Sequence, residues 1–190
     1  MEQTYKNITY LFIAIFIVIF AGFYKTYFGL FPTFDEVTIT QHIHSALFMM
    51  WFLMLIVQPI LIRNKKFVLH QSLGKFSYVL VPLLIGSIFY IAKGFYHKMI
   101  VDVPVEKVVS MLFVPFYQII DFAILYLLAI YHKKFTPYHM RYMIATSMAI
   151  VGAAVRRICT KLLGLSSPHA FLYTFVLTDM VLVALIMFDI

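Results

Sequence analysis

Residues 41–62 read QHIHSALFMMWFLMLIVQPILI, with no Asp, Glu, Lys or Arg among them. As a helix this stretch is roughly 33 Å long, enough to cross a hydrocarbon core of about 30 Å. Residues 8–30, 77–97, 108–131, 141–158 and 168–189 read the same way, and together the six use most of the 190 residues. Hydrophobic residues make up 63% of the chain and charged residues 12%, far from the composition of an ordinary soluble domain. The signal is hydropathy rather than amphipathic period, because helices that face lipid are apolar nearly all round. The expected fold is all-α. It is a polytopic integral membrane protein with about six transmembrane helices in a single transmembrane domain over residues 1–190. There is no room for a soluble catalytic domain. Residues 8–28 are too long for a signal-peptide h-region, and no small-x-small cleavage site precedes Phe31-Pro32, so the first stretch reads as a span.

Charge orients the bundle. Arg63, Lys65, Lys66 and Lys75 flank the second connection, and Lys133, Lys134 and Arg141 flank the fourth. The first and third connections carry Asp35, Glu36, Asp102 and Glu106. By the positive-inside rule the N-terminus is cytoplasmic and the expected location is the inner (plasma) membrane. Arg156, Arg157 and Lys161 run against the rule, since they fall at the outer side. The net charge of +7 suits loops facing anionic headgroups; without a basic tail or an RNA motif, nucleic acid is not an expected partner. The expected partners are the lipid bilayer and either other membrane subunits or further copies of the chain. The single cysteine, Cys159, excludes an internal disulfide and a cysteine-ligated cluster. Ala145, Thr146, Ser147, Ala149, Gly152, Ala153 and Ala154 make the fifth span rich in small residues, which let helices approach closely in lipid and mark it as central.

Function has to come from polar residues in or at the ends of the spans. His44, Trp51 and Gln58 recur every seven residues and fall within about 40° of one another on a helix, a stripe that suits either a buried site or a packing seam. His42 would lie about 160° from His44, so the two do not form a clamp if both are helical. The seven histidines sort into two layers: His42, His44, His97 and His169 at the outer ends, and His70, His132 and His139 at the inner. Imidazole ligates haem iron, zinc and copper and titrates near neutrality. His44, His70 and His139 are therefore candidate haem ligands, and His44, His97 and His169 a candidate metal set. Each would otherwise simply face headgroups or water. Asp121, deep in the fourth span beside Gln118 and Tyr117, is costly without a partner; it reads as a proton carrier, a ligand acceptor, or one half of an ion pair with Arg156 or Lys93. Arg156 is a candidate clamp for a carboxylate, a phosphate or a haem propionate, because its planar fork donates twice. On the third span Tyr90, Lys93 and His97 form an outward polar edge.

Several chemistries are excluded by spacing. No two histidines stand 13 or 14 residues apart within one span, as a two-haem helix pair would need. The HxxxH and HxxHH boxes of membrane desaturases, H-E-x-x-H, Walker and G-x-G-x-x-G loops and the G-x-S-x-G elbow are all absent.

The elements His42-Ile43-His44, Trp51, Gln58-Pro59 and Leu69-His70-Gln71-Ser72-Leu73-Gly74-Lys75 resemble a group of bacterial membrane proteins of largely unknown function. Those proteins carry a His, a Trp, a Gln and a downstream His-Arg-x-Leu-Gly segment. Asp121, the run His139-Met140-Arg141 and Arg156 resemble that group's second half. Gln71 stands where the pattern has arginine. The resemblance implies the fold and the choice of residues but no activity. A more distant likeness to two-haem b-type cytochromes lacks the histidine spacing. The expectation is a redox-associated protein binding haem or a transition metal through helix-end histidines. The alternatives are a proton-coupled small-solute carrier and a non-catalytic subunit of a membrane complex.

Overall fold

A computed structural model describes residues 7–187. Six α-helices follow one another: α1 (Ile8–Tyr24), α2 (Ile39–Arg63), α3 (Phe67–Met99), α4 (Val105–Tyr131), α5 (Thr136–Arg157) and α6 (Ser167–Met187), with no strand among the described residues. Among the described residues, four segments are long and apolar enough to cross a membrane: α2, α3, α4, and α5 together with the π-helical turn that continues it to Leu162. At 17 residues α1 is shorter than the expected span to residue 30, because the helix stops at Tyr24 and a separate 3-10 turn holds Phe28–Leu30. In the opposite sense α3 begins at Phe67, ten residues before the apolar stretch, so the run from His70 to Lys75 is helical. The last expected span reaches residue 189, and its end lies outside the described residues.

The helix ends follow local chemistry. Thr38 caps α2 by accepting from the Gln41 amide at 3.3 Å, while the Gln41 side chain accepts from the Thr38 amide at 2.7 Å, a capping box that fixes the start at Ile39. His42 and His44 are thus both helical and point to different faces. At its other end α2 closes in a Schellman motif, with the Lys66 amide on the Leu61 carbonyl and the Lys65 amide on that of Ile62. Lys65 takes the left-handed position there, at φ 57°. Pro59, Pro82 and Pro115 lie inside α2, α3 and α4, and each leaves one carbonyl four residues earlier without its helical donor.

The chain forms two compact units. One comprises the described residues up to Glu36 and from Leu125 onward; the other is Val37–Ile124. In the first, α5 packs against both α1 and α6. The buried residues of α1, namely Ile8, Phe12, Ile15, Ile19 and Gly22, step by four and three in turn, the 3.5-residue repeat of a helix seam. That seam ends where Gly22 meets α5. A Cβ on Gly22 would lie 2.5 Å from the carbonyl oxygen of Ala154, so the two backbones touch. Half of the most apolar window of α5 is buried, against 17% for α4, in keeping with the small residues along it. In the second unit α2 and α3 pair as an antiparallel hairpin. The α3 seam is Ser77, Leu80, Val81, Leu84 and Ser87. Phe122 of α4 packs edge-on to Trp51 at 5.4 Å, and Phe116 of α4 meets Phe89 of α3 at 5.5 Å.

Gly22→Val should break the α1–α5 contact. The expected loss is about 1–3 kcal/mol, of the size found for overpacking, read as a lower melting temperature in detergent. Valine at exposed Ile17 on the same helix should leave the transition nearly unchanged.

Candidate functional site

The polar stripe of α2 is a packed seam. Trp51 is fully buried at its centre. Toward the start of the helix, His44 Nδ1 lies 2.9 Å from Ser87 Oγ of α3. The Ser87 hydroxyl donates its own proton to the Leu84 carbonyl at 2.7 Å, so Oγ is left to accept and His44 Nδ1 is the protonated nitrogen. The Nε2 of His44 then carries the lone pair. Near the hairpin turn, Gln58 Nε2 donates to the backbone carbonyl of His70 at 3.2 Å. Gln58 Oε1 is buried and accepts no hydrogen bond among the described residues. His70 Nδ1 is buried at the same place. The two polar ties are 14 residues apart on α2, about 21 Å of rise, so they pin the hairpin near both ends. His44 and His70 accordingly serve different ends of it.

His139 holds a comparable position in the other unit. Its Nδ1 lies 2.8 Å from the carbonyl oxygen of Ala129, in the last turn of α4. Helix ends leave carbonyls without donors, and here the Lys133 amide bonds Ile130 rather than Ala129. The imidazole fills the gap, Nδ1 as donor, and Nε2 again carries the lone pair. This is the arrangement by which a second hydrogen bond fixes the tautomer and orientation of a ligating histidine, and equally the arrangement of a helix cap.

Within the second unit, His44 and His97 of the expected metal set do not come together. His97 is exposed on α3, ten residues past Ser87, or about 15 Å farther along the helix, so His44 and His97 do not share a centre. His169 is exposed at the start of α6, its Nδ1 2.6 Å from the hydroxyl of Ser166. Among the described residues no three His, Cys, Asp or Glu side chains group closely enough to hold a metal ion. Asp121 is half-buried on α4 and makes no ion pair or hydrogen bond among the described residues. Asp179, within the sixth apolar stretch, is exposed on α6.

Arg156 and Arg157 close α5. The Arg157 guanidinium stacks on the Phe23 ring of α1, with Cζ 4.3 Å from the centroid, and donates to the Ala153 carbonyl at 3.3 Å. Arg156 lies over Phe171 of α6 at 5.8 Å. The Ala129 carbonyl, Phe23 and Phe171 have no signature in the sequence. Only Ser87 left a trace, as a small polar residue recurring with Ser77 on an apolar helix.

Ser87→Ala should leave the His44 N–H without its acceptor, at a cost of about 1–3 kcal/mol, seen as a lower melting temperature. Trp51→Ala should cost more, about 3–5 kcal/mol, because it empties the middle of the seam. The chain matches no family model, no curated protein and no solved structure.

Proposed function

We propose that the protein is an integral protein of the inner (plasma) membrane, N-terminus cytoplasmic, and that it binds haem through helix-end imidazoles in a redox role. The observation that carries this reading is the pair of oriented histidines: in His44 and His139 alike, Nδ1 is engaged and Nε2 bears the lone pair. A protein-chelated ion is favoured less. It needs three or four side-chain donors in one place, and none are grouped among the described residues. Haem brings four equatorial donors of its own and asks the protein for one or two imidazoles. His70, Gln58 and Trp51 would line the α2–α3 seam on which His44 is held. When bound, the group would supply one-electron chemistry. The protein's part is to hold the imidazoles in one tautomer within apolar surroundings.

A second reading has its own support. Asp121 is half-buried on a long apolar helix and unpaired among the described residues, as a carboxylate that takes up and releases protons along a transport path would be. In that reading the protein carries a small solute together with protons, alone or as a subunit of a membrane complex.

The test is an absorption spectrum of the detergent-purified protein, oxidised and then dithionite-reduced, with iron analysis on the same sample. A Soret band that shifts on reduction, and that is weakened or lost in at least one of His44→Ala and His139→Ala while the protein stays folded, is the expected result. A flat spectrum without stoichiometric iron would overturn the haem reading. For the carrier reading, Asp121→Asn in proteoliposomes should abolish proton flux without altering the spectrum.

A further inference from the structure

One end of the first unit concentrates positive charge that nothing in the described chain neutralises. α1 and α5 both finish there, since Gly22 lies against Ala154, and α6 begins there. Lys25, Arg156, Arg157 and Lys161 all sit in these terminal turns. None makes an ion pair with a carboxylate among the described residues. Lys25 Nζ instead donates to the backbone carbonyl of Lys161 at 2.9 Å, tying the end of α1 to the turn after α5. Both guanidiniums are half-buried and close enough to repel each other. Each rests on a phenyl face from a different neighbouring helix, Phe23 for Arg157 and Phe171 for Arg156.

The backbone holds this arrangement in place. After Arg157 the helix widens into a π turn over Ile158–Leu162, and the Thr160 hydroxyl donates to the carbonyl of Arg156 at 2.9 Å. The segment ends at Gly164, whose φ of +67° lets the Leu165 amide return to the Cys159 carbonyl. π turns inside α-helices occur frequently at functional sites. Arg156 is the incomplete member of the set. Arg157 has a carbonyl acceptor, whereas the five N–H groups of Arg156 find no acceptor among the described residues. A half-buried guanidinium with unfilled donors calls for an oxyanion, and two adjacent forks offer more donors than one carboxylate accepts.

We infer that the end of the first unit where α1 and α5 finish is a binding site for a phosphate group, with Arg156 as its principal donor and Arg157, Lys25 and Lys161 supplying the field around it. The phosphate belongs either to an anionic lipid headgroup or to a soluble phosphate compound. Neither depends on the haem reading.

The experiment is the melting temperature of the purified full chain in a neutral detergent. Three additions are compared: dioleoylphosphatidylglycerol, dioleoylphosphatidylcholine, and inorganic phosphate or pyrophosphate without lipid. Saturating a site of this kind should raise the transition by about 5 °C. A shift with phosphatidylglycerol alone assigns the site to a headgroup, and an equal shift with the inorganic anions assigns it to a soluble phosphate. In either case Arg156→Gln should lose most of the shift, Arg156→Lys should keep part of it, and Lys98→Gln, which removes one exposed charge from the other unit, should keep all of it. If Arg156→Gln fails to fold, the comparison rests on Arg156→Lys and on native mass spectra counting phosphatidylglycerol retained by the wild type. The inference is overturned if no addition moves the wild-type transition, or if the arginine variants respond as the wild type does.

Discussion

A hydrogen-bonding group on an apolar helix has to find its partner inside the protein or lose on the order of 1–3 kcal/mol. The arrangement of this molecule follows from that constraint. On α2 the imidazole of His44 finds Ser87 and the amide of Gln58 finds the His70 carbonyl, and between them lies the fully buried Trp51. On α3, Ser77 and Ser87 turn their hydroxyl protons back to carbonyls three residues earlier, which lets small polar residues sit on a buried seam. On α5, Thr146 and Ser147 do the same, and both are fully buried. Among the described residues, the functional candidates for which this internal accounting stays open are the Nε2 side of His139, the carboxylate of Asp121 and the guanidinium of Arg156.

The two units solve the packing problem by different means. The α2–α3 hairpin is tied by side-chain hydrogen bonds near both ends and filled with aromatic and branched residues. The α1–α5 pair is held differently. It rests on backbone proximity at Gly22 and on a 3.5-residue apolar stripe, with a lysine–carbonyl hydrogen bond and a cation–π contact at the terminus. A polar substitution should therefore disturb the hairpin most, and a bulky one should disturb the α1–α5 pair most.

Much of the fold was legible in the sequence. Six apolar stretches became six helices, because hydropathy over some twenty residues integrates a large signal. The errors fell at boundaries, where composition and backbone disagree. The run from His70 to Lys75 is too polar to register as apolar, yet no proline or left-handed residue interrupts it, and α3 continues through it. The stretch after Tyr24 is apolar enough to register, but the helix stops there. The site was legible only on one side of each contact. His44, Gln58, His139 and Arg156 announce themselves by residue type and position. Their partners are a serine, two backbone carbonyls and a phenylalanine, which carry no such mark. The heptad spacing of His44, Trp51 and Gln58 said that the three share a face. It could not say that the face meets α3, because that depends on where the chain turns.

The contact between Gly22 and Ala154 also bears on how the chain is made. The two positions are separated by 132 residues, and the whole of the unit Val37–Ile124 lies between them in the sequence. That intervening unit is continuous and can complete its hairpin as soon as α3 has been synthesised. α1 cannot. At the usual roughly 5–20 residues per second its apolar stripe waits about 7 to 26 s for α5 to emerge. Throughout that interval Gly22 has no native partner, so α1 is left in need of a temporary companion.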